Sequence, residues 1–91
     1  MQVKFFADIR KLSGRLEDQV GPVTPPTLRG LILELSRRYG DAYRARMFEG
    51  EQLSSTLIIL VNGRHIEHLA GLETPVGADD VIAIFPVVAG G

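Results

Sequence analysis

One stretch, Thr27 to Gly40, limits this fold more than any other. Leu28, Leu31, Ile32, Leu35 and Tyr39 recur at the i, i+3, i+4, i+7, i+11 spacing of a single helix face. Arg29, Glu34, Arg37 and Arg38 fall elsewhere on the wheel. Thr27 suits an N-cap, Gly40 stands where a left-handed C-cap is expected, and Arg37 and Arg38 complement the negative end of the helix dipole. The spacing predicts one long helix with one apolar stripe, the only long helix in the chain. The stripe must be buried against a sheet, because no second long helix is available to cover it.

Short strands supply that sheet. Over Gln2 to Asp8, Val3, Phe5 and Ala7 alternate with Lys4, Phe6 and Asp8, which puts the first set on a core face and leaves Phe6 among polar neighbours. Ile9 to Gly14 reads as a connection, with Gly14 supplying the turn. Arg15 to Val20 returns as a second strand with Leu16 and Val20 inward, although Glu17, Asp18 and Gln19 are poor strand formers. Gly21 to Pro26 breaks the chain before the helix. Asp41 to Ser55 reads as loop with one helical turn around Tyr43 to Phe48, and Met47, Phe48 and Leu53 tuck onto the edge of the core. Thr56 to Val61 is an apolar strand stopped by Asn62-Gly63, a pair suited to the two positive φ angles of a type I′ hairpin. Arg64 to Ile66 pairs back, His68 to Leu72 forms a short 3₁₀ turn, and Thr74 to Asp80 is turn chemistry before the last strand, Val81 to Phe85.

The order strand, strand, helix, strand, short strand, strand is that of an α+β β-grasp, the ubiquitin-like roll. It predicts a mixed sheet of four to five strands with one main helix on one face. The first and last strands lie parallel at its centre. Residues 1–91 form a single domain, with a flexible Gly-Gly tail from about residue 87. Leu57, Ile59, Val61, Ile82 and Ile84 point at the helix. Phe6, Ile58, Leu60 and Phe85 share the opposite, open face, where four large apolar side chains make a partner-binding patch or are covered by a loop or a second copy.

Composition excludes several functions. The net charge of −1 argues against a nucleic-acid partner held through its phosphates. Without cysteine the chain has no disulfide, thiol nucleophile or thiolate metal site. The spacing of His65, Glu67, His68 and Glu73 matches no metal motif, so we expect no metal. No apolar run approaches the length of a membrane span and no signal segment opens the chain, so a cytoplasmic location is expected.

After the last strand come Pro86-Val87-Val88-Ala89-Gly90-Gly91. Such a tail is either a frayed end or a thin thread whose carboxylate enters a narrow active site. A carboxylate is a poor electrophile until it becomes an acyl phosphate or acyl adenylate. Nothing in the tail performs that step, so another protein must.

Phe5-Phe6-Ala7-Asp8-Ile9-Arg10-Lys11-Leu12-Ser13-Gly14 resembles the opening signature of the MoaD-like sulfur carriers, the small subunits of molybdopterin synthase. Asp79 to Gly91 resembles their closing signature, and Leu60-Val61-Asn62-Gly63 also fits. The thiazole-pathway carrier ThiS and the archaeal ubiquitin-like modifiers share fold and tail. The resemblance implies a co-substrate rather than an enzyme. An E1-like enzyme uses ATP to adenylate Gly91, and a sulfurtransferase or cysteine desulfurase supplies the sulfur that leaves a thiocarboxylate. The molybdopterin synthase large subunit then receives it. This chain would bind no cofactor itself. Gly91 would be the attachment point and Gly90 the thread. Phe6, Ile58, Leu60, Phe85, Pro86, Val87, Val88 and Ala89 would meet the partners. The alternatives are a protein modifier joined to lysines through Gly91, for which only Lys4 and Lys11 are acceptors on the chain itself, or a carrier for thiazole synthesis.

Overall fold

In the computed structural model, which describes residues 1–87, the expected stripe becomes helix α2, Leu28–Tyr39. Thr27 caps it by accepting the Gly30 N–H, and Leu28, Leu31, Ile32 and Leu35 have no exposed surface. Each such side chain contributes roughly 1.5–3 kcal/mol of transfer free energy. Tyr39, one turn on, is only half-buried. Gly40 ends the helix at φ 97° and ψ −173°, so the stop needs glycine but is not the left-handed cap expected. Arg37 and Arg38 pair with Glu34 at 2.8 and 2.9 Å, and Arg38 also reaches Asp18.

The helix lies on a five-stranded sheet formed by β1 (Gln2–Phe5), β2 (Glu17–Gln19), β5 (Leu57–Val61), β6 (Arg64–His65) and β7 (Val81–Pro86), in the spatial order β2-β1-β7-β5-β6. β1 and β7 are parallel at the centre, with Val3 beside Ile82 and Phe5 beside Ile84. The other pairs are antiparallel, Ile59 standing opposite Ile84 and Val3 opposite Asp18. This is the mixed sheet of a β-grasp. Alternation holds along both hydrophobic strands: Leu57, Ile59, Val61, Ile82 and Ile84 are buried under α2, while Ile58, Leu60, Val81, Ala83 and Phe85 are only half-buried. Asn62 and Gly63 both take positive φ, 51° and 82°, as the hairpin requires.

Several short elements depart from expectation. β1 stops at Phe5, and residues expected to extend it form helix α1, Ala7–Ser13. Ile9 and Leu12, spaced i and i+3, pack one side of α1 on the core, and Gly14 closes it in the left-handed region at φ 73°. Ala7 is exposed rather than inward, and its φ is +53°, a strained value for a residue with a Cβ. Leu16, expected inward, is 64% exposed, just before β2 begins at Glu17. Val20 is buried as expected. Most of Asp41 to Ser55 is ordered: α3 spans Asp41–Met47, and β3 (Phe48–Glu49) pairs with β4 (Gln52–Leu53). Met47 is fully buried, and Phe48 and Leu53 pack against the core's edge. Ile66 belongs to the first of two 3₁₀ turns, Ile66–His68 and Gly71–Glu73, rather than to β6.

Candidate docking surface and tail root

The open face of the sheet is polar at one end and apolar at the other. Gln2 and Glu17 side chains are hydrogen-bonded at 2.8 Å on β1 and β2, and Lys4 stands beside Ala83 of β7. Past Lys4 the surface changes. Phe6, Ala7, Leu60, Ala83, Phe85 and Pro86 line a shallow concavity of about 460 Å³. The Phe6 and Phe85 rings meet edge to face with centroids 5.8 Å apart. Phe6 is the last extended residue of this strand: its N–H still donates to Ile84 O at 3.2 Å, and the positive φ of Ala7 then turns the chain into α1. Its side chain therefore stands at the rim, 39% exposed, where no further strand residue covers it. Ile58 lies opposite Phe85 in the β5–β7 register and carries the apolar surface toward the sheet edge. Of the residues assigned by sequence to partner binding, the fold brings Phe6, Leu60, Phe85 and Pro86 around one concavity, with Ile58 adjoining.

The concavity borders the point where the chain leaves the sheet. The Val87 N–H donates to Thr56 O at 2.8 Å, so Val87 is still attached to the turn before β5, although its side chain is 48% exposed. Thr56 Oγ1 in turn accepts from Arg46 Nη1 at 2.7 Å, and Arg46 Nε donates to Asp8 Oδ2 at 2.7 Å. These charge-assisted bonds tie α1, α3 and the start of β5 together directly beneath the root of the tail. Sequence reading assigned no role to Asp8, Arg46 or Thr56. The assignments to Gly91, Gly90, Val88 and Ala89 lie outside the described residues.

A second concavity, about 480 Å³, lies at the β5–β6 edge near Leu53, His65, Ile66 and Leu72. Within it Arg29 Nε donates to Glu73 Oε1 at 2.9 Å. His65 Nδ1 accepts the Glu67 N–H and so caps the first 3₁₀ turn. Among the described residues no group of three or more metal-ligating side chains comes together, and no helix is long and apolar enough to cross a membrane.

The comparisons with known proteins agree with this fold. The family model of the ThiS family matches residues 3–91. Small archaeal modifier protein 3 of Haloferax volcanii is 29% identical over 91 residues, covering 100% of this chain and 98% of its own length. A candidate sulfur carrier protein of Archaeoglobus fulgidus is 38% identical over 65 residues, or 71% of this chain and 74% of its own. Among solved structures, small archaeal modifier protein 1 of Methanosarcina acetivorans superposes with a TM-score of 0.82 at 34% identity, covering 99% of this chain and 94% of that one. A candidate molybdopterin converting factor subunit 1 of Pyrococcus furiosus superposes with a TM-score of 0.73 at 25% identity, covering 96% of this chain and 95% of that one.

Proposed function

This chain belongs to the ThiS family of ubiquitin-fold carrier and modifier proteins, and from that premise we propose that it is a sulfur carrier for molybdopterin synthesis. The observation that carries the reading is placement: an apolar docking concavity stands at the root of a tail that ends Ala89-Gly90-Gly91. A partner that seats on Phe6, Leu60 and Phe85 receives the tail alongside.

The chemistry follows from the carboxylate. At cellular pH the α-carboxylate of Gly91 is ionised and attacks the α-phosphate of ATP in an E1-like enzyme, releasing pyrophosphate. A persulfide sulfur then displaces AMP from the acyl adenylate to give an acyl disulfide, and attack of a second partner thiol on the donor's own sulfur breaks the S–S bond, releasing the thiocarboxylate and leaving a disulfide on the donor. The large subunit of molybdopterin synthase is the acceptor we assign, on the opening and closing signatures and the likeness to the Pyrococcus furiosus protein. The chain itself acts as co-substrate, with ATP and the catalytic residues on its partners. The likeness to two archaeal modifier proteins favours one second reading, a modifier that forms isopeptide bonds through Gly91.

Intact-mass spectrometry of the chain from its native host tests the proposal. A thiocarboxylate adds about 16 Da by exchange of oxygen for sulfur. Loss of that form when the molybdopterin synthase large subunit and its precursor are supplied assigns the acceptor. Isopeptide-linked remnants of this chain's C-terminal segment on lysines of other proteins, with the 16 Da form absent, establish the modifier instead.

A further inference from the structure

We infer that Asp8, Arg46 and Thr56 form a clamp that fixes where the tail leaves the domain, and that they are positioning residues for activation of the terminal carboxylate. The inference rests on the carrier reading above and deepens it. Three links connect α1 to the tail root: Asp8 Oδ2 to Arg46 Nε at 2.7 Å, Arg46 Nη1 to Thr56 Oγ1 at 2.7 Å, and Thr56 O to the Val87 N–H at 2.8 Å. Ser54 holds Thr56 from the other side, with its hydroxyl 2.8 Å from Thr56 Oγ1 and 3.3 Å from the Thr56 N–H. The Arg46 side chain is only 22% exposed, so its guanidinium is lodged between the two helices rather than free in water. Thr56 is thereby held at both its hydroxyl and its backbone.

The consequence is one of reach. Val88 to Gly91 spans at most about 14 Å when fully extended, at 3.3–3.6 Å per residue. If the chain is fixed at Val87, the carboxylate is confined to a small volume beside the Phe6–Phe85 concavity. If Val87 comes away, the effective origin retreats toward Phe85 and the same carboxylate samples a larger volume. A partner docked on the concavity then meets the carboxylate at lower effective concentration. With the tail mostly engaged in the docked complex, the loss weakens the engaged ground state and the transition state alike, so it raises KM and leaves kcat. A bond network that only stiffened the domain would lower the melting temperature without that split.

The test compares the unsubstituted chain with Arg46→Met, which keeps the stem and removes both donors. Thr56→Val, which removes the hydroxyl and keeps the carbonyl, is the milder second variant. Arg46→Lys restores one cation. Two quantities are read: amide exchange at Val87 against Ile59 in the core, and ATP–pyrophosphate exchange with the cognate activating enzyme. We expect Val87 exchange to rise at least about tenfold in Arg46→Met beyond any change at Ile59. We also expect KM for the carrier to rise roughly three- to tenfold with kcat within about twofold, and Arg46→Lys to recover part of both. Equal KM in Arg46→Met and the unsubstituted chain overturns the clamp as a positioning device, and so does unchanged Val87 exchange. If the unsubstituted chain supports no pyrophosphate exchange at all, the carrier reading falls and the clamp's role in activation falls with it.

Discussion

Tyr43 is the least expected residue of the core. It is fully buried, its ring meets Tyr39 and Phe5 edge to face at 5.2 and 6.3 Å, and its hydroxyl has no hydrogen-bond partner among the described residues. Burial drives its pKa upward, with Tyr39 adding to the effect, so the phenol stays neutral at any working pH. An unpartnered buried hydroxyl costs about 1–3 kcal/mol. Tyr43→Phe is therefore expected to leave stability unchanged or raise it by about 1 kcal/mol, whereas Tyr43→Ala opens a cavity costing about 3–5 kcal/mol. Urea melts distinguish these outcomes, and a large loss in Tyr43→Phe would mean that the hydroxyl has a partner. Its neighbour Tyr39 behaves oppositely, since its hydroxyl donates to Asp18 Oδ2. Burial alone would raise the Asp18 pKa. The Tyr39 hydroxyl, Arg15, the Gln19 N–H and Arg38 together outweigh it and hold the carboxyl below its usual value. A depressed folded pKa contributes stability that is complete above the unfolded value, about 3.9, and is lost as pH falls from there through the folded value. The melting-temperature gap between the unsubstituted chain and Asp18→Asn is thus expected to be widest near pH 7 and to close below about pH 4. A gap independent of pH would show that the Asp18 charge contributes nothing.

At the scale of elements, the contact between α2 and the segment before it depends on a missing atom. A Cβ on Gly30 would stand 1.9 Å from Pro25 O and 3.0 Å from Pro25 C, both backbone atoms. Helix propensity alone favours Gly30→Ala by about 0.8–1.0 kcal/mol. The clash reverses the sign, and overpacking of this kind costs about 1–3 kcal/mol. We expect Gly30→Ala to melt lower than the unsubstituted chain, and a higher melting temperature would show that the Pro25 segment yields freely. This constraint was not legible in the sequence, because it arises from residues that meet only after the Gly21 to Pro26 segment folds back on α2. What was legible followed the long periodicities. The α2 stripe, the alternation in β5 and β7 and the Asn62-Gly63 turn each carry a physical signature several residues long. Helices α1 and α3 have seven residues each, too short to persist on propensity, and form because Ile9, Tyr43 and Met47 find the core. Leu16 was misplaced for a related reason: its backbone oxygen accepts from the Phe5 N–H at 2.9 Å, so it continues the ladder while its side chain stays outside.

At the scale of the whole molecule, the candidate site divides in the same way. Its apolar concavity could be read from alternation, since Leu60 and Phe85 must point away from α2 once Ile59 and Ile84 point toward it. Its polar anchorage could not, since Arg46 stands 38 residues from Asp8 and 10 from Thr56 with no periodicity linking them, and the three meet only in the folded chain. On the carrier reading proposed above, the two parts correspond to two separable steps, docking through the sheet and activation through the tail. A chain ending at Val87 separates them. Phe6, Leu60, Ala83, Phe85 and Pro86 all precede the cut, and Val87 keeps its bond to Thr56 O. The truncated chain is therefore expected to fold, to occupy the activating enzyme and to remain chemically inert, because the carboxylate that attacks ATP is no longer in reach. In pyrophosphate exchange it should act as a competitive inhibitor of the full-length chain, raising the apparent KM and leaving kcat. Phe85→Ala in the truncated chain should weaken that inhibition roughly 5- to 30-fold, the equivalent of about 1–2 kcal/mol for a buried aromatic anchor. Its melting temperature should change little, since Phe85 is only half-buried on the free domain. A truncated chain that does not inhibit at about a hundred times the KM would place the binding energy in the tail and strip the Phe6–Phe85 concavity of its docking role. Inhibition unchanged by Phe85→Ala would move the docking contact elsewhere on the domain.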